Sequence, residues 1–391
     1  MTEGLSGRAR VLLEFLGERR DDMVDLLVDL ASLESPTDVP ETQLAVQGRL
    51  RLALEERGFA VRRLPGRITG GHLYARPAER MRRRPGQLLV GHCDTVWPVG
   101  TLASMPVTVE DGMVKGPGTF DMKAGLVQGL FAVEALTELG MEPPATPVWL
   151  INSDEEIGSV ESRRWVRLIA RNVARTFVLE PAFGPEGLLK TARKGVARFT
   201  VTVNGSPAHS GLDPTKGASA IAELASVIQR LHAMTDLQRG TTVNVGTIRG
   251  GTRANVIAAE ASADVDVRVT TLAEGEEIER RIRALEPETP GTSIHVEGGI
   301  GIPPMERTER NTKLWEAARA AGSRFGLELG DFLSGGGSDG NTTSQFTATL
   351  DGLGAVGDGA HAVHEAVVID GMVQRSALLA ELLMTPVGGT A

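Results

Sequence analysis

The stretch LLVGHCDTV, residues 88–96, joins a short apolar strand to a polar loop, and this pattern decides the fold class. It recurs twice, where apolar strands run into NSDEEIGS (152–159) and into Glu180. A helix predicted over 120–139 separates the first two strands. Strands that alternate with helices predict an α/β domain with a mostly parallel central sheet flanked by helices. Ligands of such sheets bind at the carboxyl ends of the strands, where all three polar segments lie.

The hydrophobic pattern changes near residue 190. GVARFTVTVNG (195–205) alternates apolar and polar residues with period two, which predicts a half-buried strand. The order strand, helix, strand, strand, helix, strand continues to about residue 303 and predicts a compact α+β unit. We therefore predict an inserted α+β domain over 191–303, within a catalytic domain made of 1–190 and 304–391.

Composition narrows the possible functions. The chain has 391 residues, a formal net charge of −9 and one cysteine, Cys93. Acidic proteins are poor partners for nucleic acids, and a single cysteine excludes an internal disulfide or a thiolate metal cluster. No apolar run reaches the roughly 18 residues of a membrane span, and the first residues lack a secretory signal. We expect a cytoplasmic protein without nucleic-acid or membrane partners, whose metal, if any, is held by His and carboxylate side chains.

His92 and Asp94 are two residues apart, so on an extended segment they point to the same side. Asp94 could then orient the imidazole of His92 as a metal ligand, or the pair could simply end a strand and begin a turn. Cys93, between them, should face the core. Asp121 follows a glycine-rich loop and could either cap the next helix or bridge two cations.

Asp154, Glu155 and Glu156 are adjacent acids at the end of an apolar strand, where their mutual repulsion has no compensation unless a metal is bound. One acid could ligate while its neighbour accepts a proton from water; a solvated acidic turn is the alternative. His361 follows a turn and is the better ligand candidate than His364. Two His and three carboxylates, one shared, would hold two divalent ions, for which Zn²⁺ is favoured and Co²⁺ or Mn²⁺ are alternatives.

The segments GHCDTV, GPGTFDMKAG, DEEIGS and LEPA together resemble the co-catalytic zinc hydrolases, which include glutamate carboxypeptidase G, acetylornithine deacetylase, succinyl-diaminopimelate desuccinylase and aminoacylase. The resemblance covers nearly the whole chain. It implies that one zinc binds to His92, Asp121 and Glu180, and the other to Asp121, Glu156 and His361. It also implies that Asp94 orients His92, that Glu155 is the general base, and that a cis peptide bond follows Asp121.

The inserted segment resembles the lid, often the dimerisation domain, of the same family. GSPAHSG (205–211) is similar to the lid motif whose His polarises the scissile carbonyl, which implies that His209 stabilises the oxyanion. Asn255 and Arg268 match lid positions that contact substrate. Gly336 and Gly337, in SGGGSDG (334–340), match the substrate-side loop. A homodimer through the lid is also implied.

The function implied is metal-dependent cleavage of an amide bond next to a free carboxylate, with release of a C-terminal amino acid. The alternatives are an N-acyl-amino-acid deacylase and a non-catalytic binding relative. Basic residues of the glutamate-specific enzyme correspond here to Leu188 and the uncharged stretch 301–304, so glutamate preference does not follow. Lys190, Arg193 or Lys194 could replace those basic residues.

Overall fold

The computed structural model describes residues 7–79 and 84–387. Residues 1–6, 80–83 and 388–391 of the predicted catalytic domain lie outside this range. The helices in chain order are α1 (Gly7–Glu18), α2 (Arg20–Ala31), α3 (Gln43–Glu56), α4 (Ala124–Glu138), α5 (Arg163–Ala170), α6 (Ala220–His232), α7 (Leu272–Arg283), α8 (Glu309–Ser323), α9 (Asp339–Thr343) and α10 (Ile369–Leu383). None of these helices has the length and apolar character needed to cross a membrane.

The strands of the same residues are 2 to 10 residues long. In chain order they are β1 (Phe59–Leu64), β2 (His72–Pro77), β3 (Gly86–His92), β4 (Thr108–Glu110), β5 (Met113–Lys115), β6 (Thr146–Asn152), β7 (Val173–Val178), β8 (Leu189–Arg193), β9 (Gly195–Asn204), β10 (Thr242–Gly250), β11 (Glu260–Val269), β12 (Ser293–Ile302), β13 (Asp331–Ser334), β14 (Ala348–Leu350), β15 (Gly357–Asp358) and β16 (Ala366–Val368).

The chain forms two compact units. The first contains the described residues up to Thr191, together with Arg307–Leu333 and those from Ser338 onward. The second contains Ala192–Glu306 and the short segment Ser334–Gly337.

The first unit is built on a six-stranded sheet with the order β1-β2-β6-β3-β7-β14. Strands β6, β3, β7 and β14 run parallel, while β2 pairs antiparallel with both β1 and β6. Side chains alternate between two cores: Leu89 and Phe177 pack with α4 and α10, and Leu88 and Val178 face α5. Burial on both faces explains why β3 reads as a continuous apolar run. The predicted parallel-rich α/β fold is confirmed.

The second unit is an antiparallel sheet with the order β10-β11-β9-β12. Alternate residues of β11 are buried against α6 and α7, and the others face outward. Strand β12 continues to Ile302, and its glycines allow a close approach to β9. A Cβ at Gly298 would lie 2.1 Å from the carbonyl oxygen of Arg198.

The predicted start of the helix that follows the first polar loop was wrong. We predicted a helix from Phe120, but α4 begins at Ala124. Asp121 has φ −112° and ψ 97°, values outside the helical region, and its side chain does not cap α4. The Asp121–Met122 peptide bond is cis, as the resemblance implied.

Candidate metal centre

The candidate site follows from the direction of three parallel strands in the first unit. Strand β3 ends at His92, β6 ends at Asn152 and β7 ends at Val178. Because β3 pairs in parallel with both neighbours, these three ends meet at one edge of the sheet. The polar residues that follow each strand are therefore brought together.

The first ligand group contains His92, Asp121 and Glu180, whose ligand atoms all lie within 4.8 Å of one another. His92 Nε2 is 3.2 Å from Asp121 Oδ1 and 3.5 Å from Glu180 Oε1. Burial disfavours the charged imidazole, but hydrogen bonds with Asp121, Asp94 and Glu180 together hold the pKa of His92 well above its ordinary value. The surrounding carboxylates thus favour a positive charge at this point.

The second ligand group contains Asp121, Glu156 and His361, again within 4.8 Å. His361 Nε2 is 3.5 Å from Asp121 Oδ2 and 3.2 Å from Glu156 Oε2. Hydrogen bonds with these two carboxylates raise the pKa of His361 to about 10. His364 takes no part in the group; its Nε2 lies 3.8 Å from Asp358.

Asp121 therefore belongs to both groups, with one carboxylate oxygen directed to each His. Burial alone would raise its pKa, but the hydrogen bonds from His361 and His92 lower it. Imidazole and carboxylate donors in two sets of three, sharing one carboxylate, fit two divalent metal ions.

Asp94 orients both His92 and the acidic turn. Its Oδ1 is 3.4 Å from His92 Nδ1, and its backbone oxygen is 3.0 Å from the same nitrogen. Its Oδ2 accepts hydrogen bonds from Thr37 Oγ1 (2.7 Å) and the Glu156 N–H (3.2 Å). An imidazole held through Nδ1 presents Nε2 to a metal, which is the arrangement of a positioned ligand.

Glu155 lies beside the ligands but belongs to neither group. Its backbone N–H donates to Asp94 Oδ1 at 3.3 Å. Burial, and then the negative charge of Glu180, raise its pKa well above the ordinary range. Cys93, by contrast, is fully buried in the core, and burial raises the pKa of its thiol to about 12, as expected for a structural cysteine.

The remaining predicted site residues belong to the second unit. His209 is exposed, and its Nδ1 accepts the N–H groups of Gly211 and Leu212, both at 3.2 Å. Asn255 is also exposed, and its backbone carbonyl accepts the N–H of Ser210 at 3.1 Å.

Arg268 and the glycine loop are already engaged within the second unit. Arg268 makes two hydrogen bonds to Asp266, Nε to Oδ1 at 2.7 Å and Nη2 to Oδ2 at 3.1 Å. The carbonyls of Gly336 and Gly337 accept Nη1 of Arg193 at 3.2 and 3.1 Å. Arg193 therefore supports the loop, a role that the sequence did not reveal.

Two residues near the ligands were not predicted from the sequence. Thr37 binds Asp94 from a loop 57 positions earlier in the chain. Glu365 is buried and accepts backbone hydrogen bonds at Asp121. The only sequence signal for Glu365 was an acid directly before the apolar segment 366–368.

The fold and the ligand geometry define a site for two divalent metal ions, of the kind that metal-dependent hydrolases of peptide-like amide bonds use. Comparison with known proteins agrees: residues 191–289 match the family described as Peptidase dimerisation domain. Carboxypeptidase G2 of a Pseudomonas species is 28% identical over 96% of this chain and 92% of its own. Succinyl-diaminopimelate desuccinylase of Dechloromonas aromatica is 28% identical over 78% of this chain and 85% of its own.

A solved structure shares the fold of most of this chain. Aminopeptidase PepT from Bacillus cereus superposes with a TM-score of 0.79 at 22% identity, covering 93% of this chain and 98% of that one. The predicted resemblance is thus confirmed: the chain is similar to carboxypeptidase G2 and to the desuccinylase, and it is an enzyme of the metallopeptidase and amidohydrolase class.

Proposed function

We propose that this enzyme cleaves an amide bond next to a free carboxylate and releases a C-terminal amino acid. The observation that carries the proposal is the pair of ligand groups sharing Asp121, beside a half-buried acid, Glu155, that neither group uses. The similarity to carboxypeptidase G2 along nearly the whole chain supports the same activity.

The chemistry divides between the metals and one carboxylate. Two divalent ions, proposed as Zn²⁺ with Co²⁺ or Mn²⁺ as alternatives, would act as Lewis acids toward the scissile carbonyl and lower the pKa of water. Glu155 takes the proton of the attacking water and delivers it to the leaving amine. Burial raises the pKa of Glu155 and so favours its acceptance of that proton.

The second unit is proposed to bind and polarise the substrate. With Nδ1 of His209 accepting two backbone N–H groups, Nε2 carries the hydrogen and can donate to the developing oxyanion. Asn255 and Arg268 are the proposed substrate contacts, together with Gly336 and Gly337. The Nη1 group of Arg268 takes no part in its pair with Asp266 and could donate to a substrate carboxylate.

Assembly is part of the proposal. The match of residues 191–289 to the Peptidase dimerisation domain supports a homodimer formed through the second unit. Sedimentation or light scattering of the purified protein tests this directly, and a monomer at all concentrations would contradict it.

An N-acyl-amino-acid deacylase is the second candidate, because the desuccinylase relative aligns over 78% of this chain at the same identity as carboxypeptidase G2. The two activities use the same machinery and differ in the acyl group and in the amino acid released. The leaving amino acid of the best substrate therefore decides between them.

The test is hydrolysis of a panel of acyl-glutamates, dipeptides, acetyl-ornithine and succinylated amines, each with and without a chelator. We expect chelator-sensitive cleavage only where a free carboxylate neighbours the amide. Cleavage that survives complete metal removal would refute the mechanism. Absence of all cleavage in protein that holds two metals would favour a non-catalytic binding relative.

A further inference from the structure

A buried carboxylate, Glu365, is hydrogen-bonded to the backbone of the shared aspartate, Asp121. Its Oε1 accepts the backbone N–H groups of Phe120 at 2.9 Å and Asp121 at 3.0 Å. Its Oε2 accepts the backbone N–H of Gly118 at 2.9 Å and the indole N–H of Trp97 at 2.8 Å. Four donors converge on one side chain that is 1% exposed. A carboxylate has two oxygens with two lone pairs each, so one side chain can accept all four hydrogen bonds.

These four hydrogen bonds join three segments that carry ligands of the candidate metal centre. Trp97 lies five residues after the ligand His92, and the N–H groups at 118–121 include that of Asp121 itself. Glu365 lies four residues after His361, and a backbone hydrogen bond from Gly116 to its carbonyl (3.1 Å) ties the same two segments.

We propose that Glu365 is a positioning residue for the metal centre, which acts by fixing the backbone of Asp121 so that its two carboxylate oxygens serve both ligand groups. Glu365 itself is not within either group. Its effect is transmitted through the 118–121 backbone, where Gly118 has a positive φ of 69° and Asp121 has the non-helical angles φ −112° and ψ 97°. This inference rests on the proposed two-metal function.

A neutral Gln cannot replace Glu365, because it cannot accept the same four hydrogen bonds. Gln has the same shape, but its amide offers one accepting oxygen and one donating nitrogen. If the oxygen keeps Phe120 and Asp121, the nitrogen faces the N–H groups of Gly118 and Trp97, and donors then oppose donors. Buried donors left without an acceptor are costly, so the loop should move to relieve them.

The first experiment titrates the metal-free protein with Zn²⁺ against a competing chelator, for wild type and Glu365→Gln. Changes in residues that support metal ligands typically weaken metal affinity or activity about 10–100-fold, and we expect a loss in that range. We also expect an altered visible spectrum of the Co²⁺-loaded protein, because the Asp121 oxygens would be displaced. With saturating metal, kcat should fall while KM changes little.

Glu223→Gln is the matched control. Glu223 is 0% exposed and accepts the backbone N–H groups of Glu288 (3.1 Å) and Thr289 (2.7 Å), but it lies in the second unit, outside both ligand groups. The control should lose thermal stability while keeping wild-type Zn²⁺ affinity, Co²⁺ spectrum and kcat. If Glu365→Gln behaves like this control, its role is structural only and the inference is wrong.

Trp97→Phe keeps the test decisive if Glu365→Gln does not fold. This variant removes one of the four donors and leaves the carboxylate in place. We expect a several-fold weaker Zn²⁺ affinity, and unchanged affinity would overturn the inference. Combining it with Glu365→Gln removes one donor that opposes the amide and should recover part of the lost affinity.

The titration also separates this inference from the proposed function. Wild-type protein that binds no divalent metal would refute both. Wild-type protein that binds two ions, with Glu365→Gln binding them equally well, would refute only the positioning role of Glu365.

Discussion

Replacing Glu155 by Gln should abolish turnover without weakening the fold. Burial and the charge of Glu180 raise the pKa of Glu155 in the folded chain. An acid whose pKa is raised by folding destabilises the folded state at pH values above its unfolded pKa, where it would otherwise be ionised. Gln keeps the shape and removes that charge, so the variant's melting temperature in the absence of metal should equal or exceed that of wild type.

The catalytic rate of the Glu155→Gln variant, unlike its melting temperature, should fall. General bases contribute roughly 10²–10⁴-fold, which corresponds to about 3–5 kcal/mol of transition-state stabilisation. We expect kcat to fall by that factor, with two metal ions still bound, because Glu155 lies in neither ligand group. The assay combines steady-state hydrolysis of the best panel substrate, metal analysis and thermal melting.

Glu161→Gln provides the comparison for this prediction. Glu161 accepts hydrogen bonds from the Ile68 N–H (3.3 Å) and Thr69 Oγ1 (3.0 Å), and its pKa is lowered although burial opposes the charged form. This variant should lose melting temperature and keep kcat. A Glu155→Gln variant that retains kcat within tenfold of wild type would refute the assignment of the base.

Three further outcomes are expected. Gly125→Ala places a Cβ 2.0 Å from the Leu179 carbonyl oxygen; it should cost about 1–3 kcal/mol by chemical denaturation, whereas Gly48→Ala, with no atom within 4 Å, should be neutral or stabilising. Chelation should lower the melting temperature, since a ligand at 100 times its Kd stabilises by about 2.7 kcal/mol per site; an unchanged melting curve would argue against bound metal. Although burial opposes its charge, backbone hydrogen bonds lower the pKa of Glu223 from 4.5; its stabilising effect is complete above that pH and is lost as pH falls further, so the stability difference between wild type and Glu223→Gln should narrow in acid.

Several features of the fold were predictable because they depend on local patterns. The continuous apolar run of β3 and the alternation of β11 identify a strand buried on both faces and a strand buried on one. The start of α4 was not predictable from periodicity, because Asp121 and Met122 leave the helical region inside a segment whose composition is helical. The extension of β12 depends on a close approach to β9 that only glycine permits at residue 298.

The candidate site also combines features that the local sequence predicts with features that depend on distant parts of the chain. Strand ends rich in His and acids predicted that His92, Glu156 and Glu180 would meet, because parallel strands align their carboxyl ends. The roles of Asp121 and His361 were implied by the family resemblance. The role of Glu365 was not visible, because its donors lie 244 to 268 positions earlier in the chain. Likewise, the engagement of Arg193 with the carbonyls of 336 and 337 joins segments separated by more than 140 residues.

By itself, the sequence of this protein determined the residue types at each strand end, the change from a parallel to an antiparallel pattern near residue 190, and the donor chemistry suited to divalent metals. Those properties follow from hydrophobic periodicity and side-chain chemistry, which are local. Only the tertiary structure decided that Asp121 directs one oxygen to His92 and the other to His361, and that Glu365 holds its backbone. Hydrogen bonds and metal ligation depend on positions within a few tenths of an ångström, and long-range packing sets those positions.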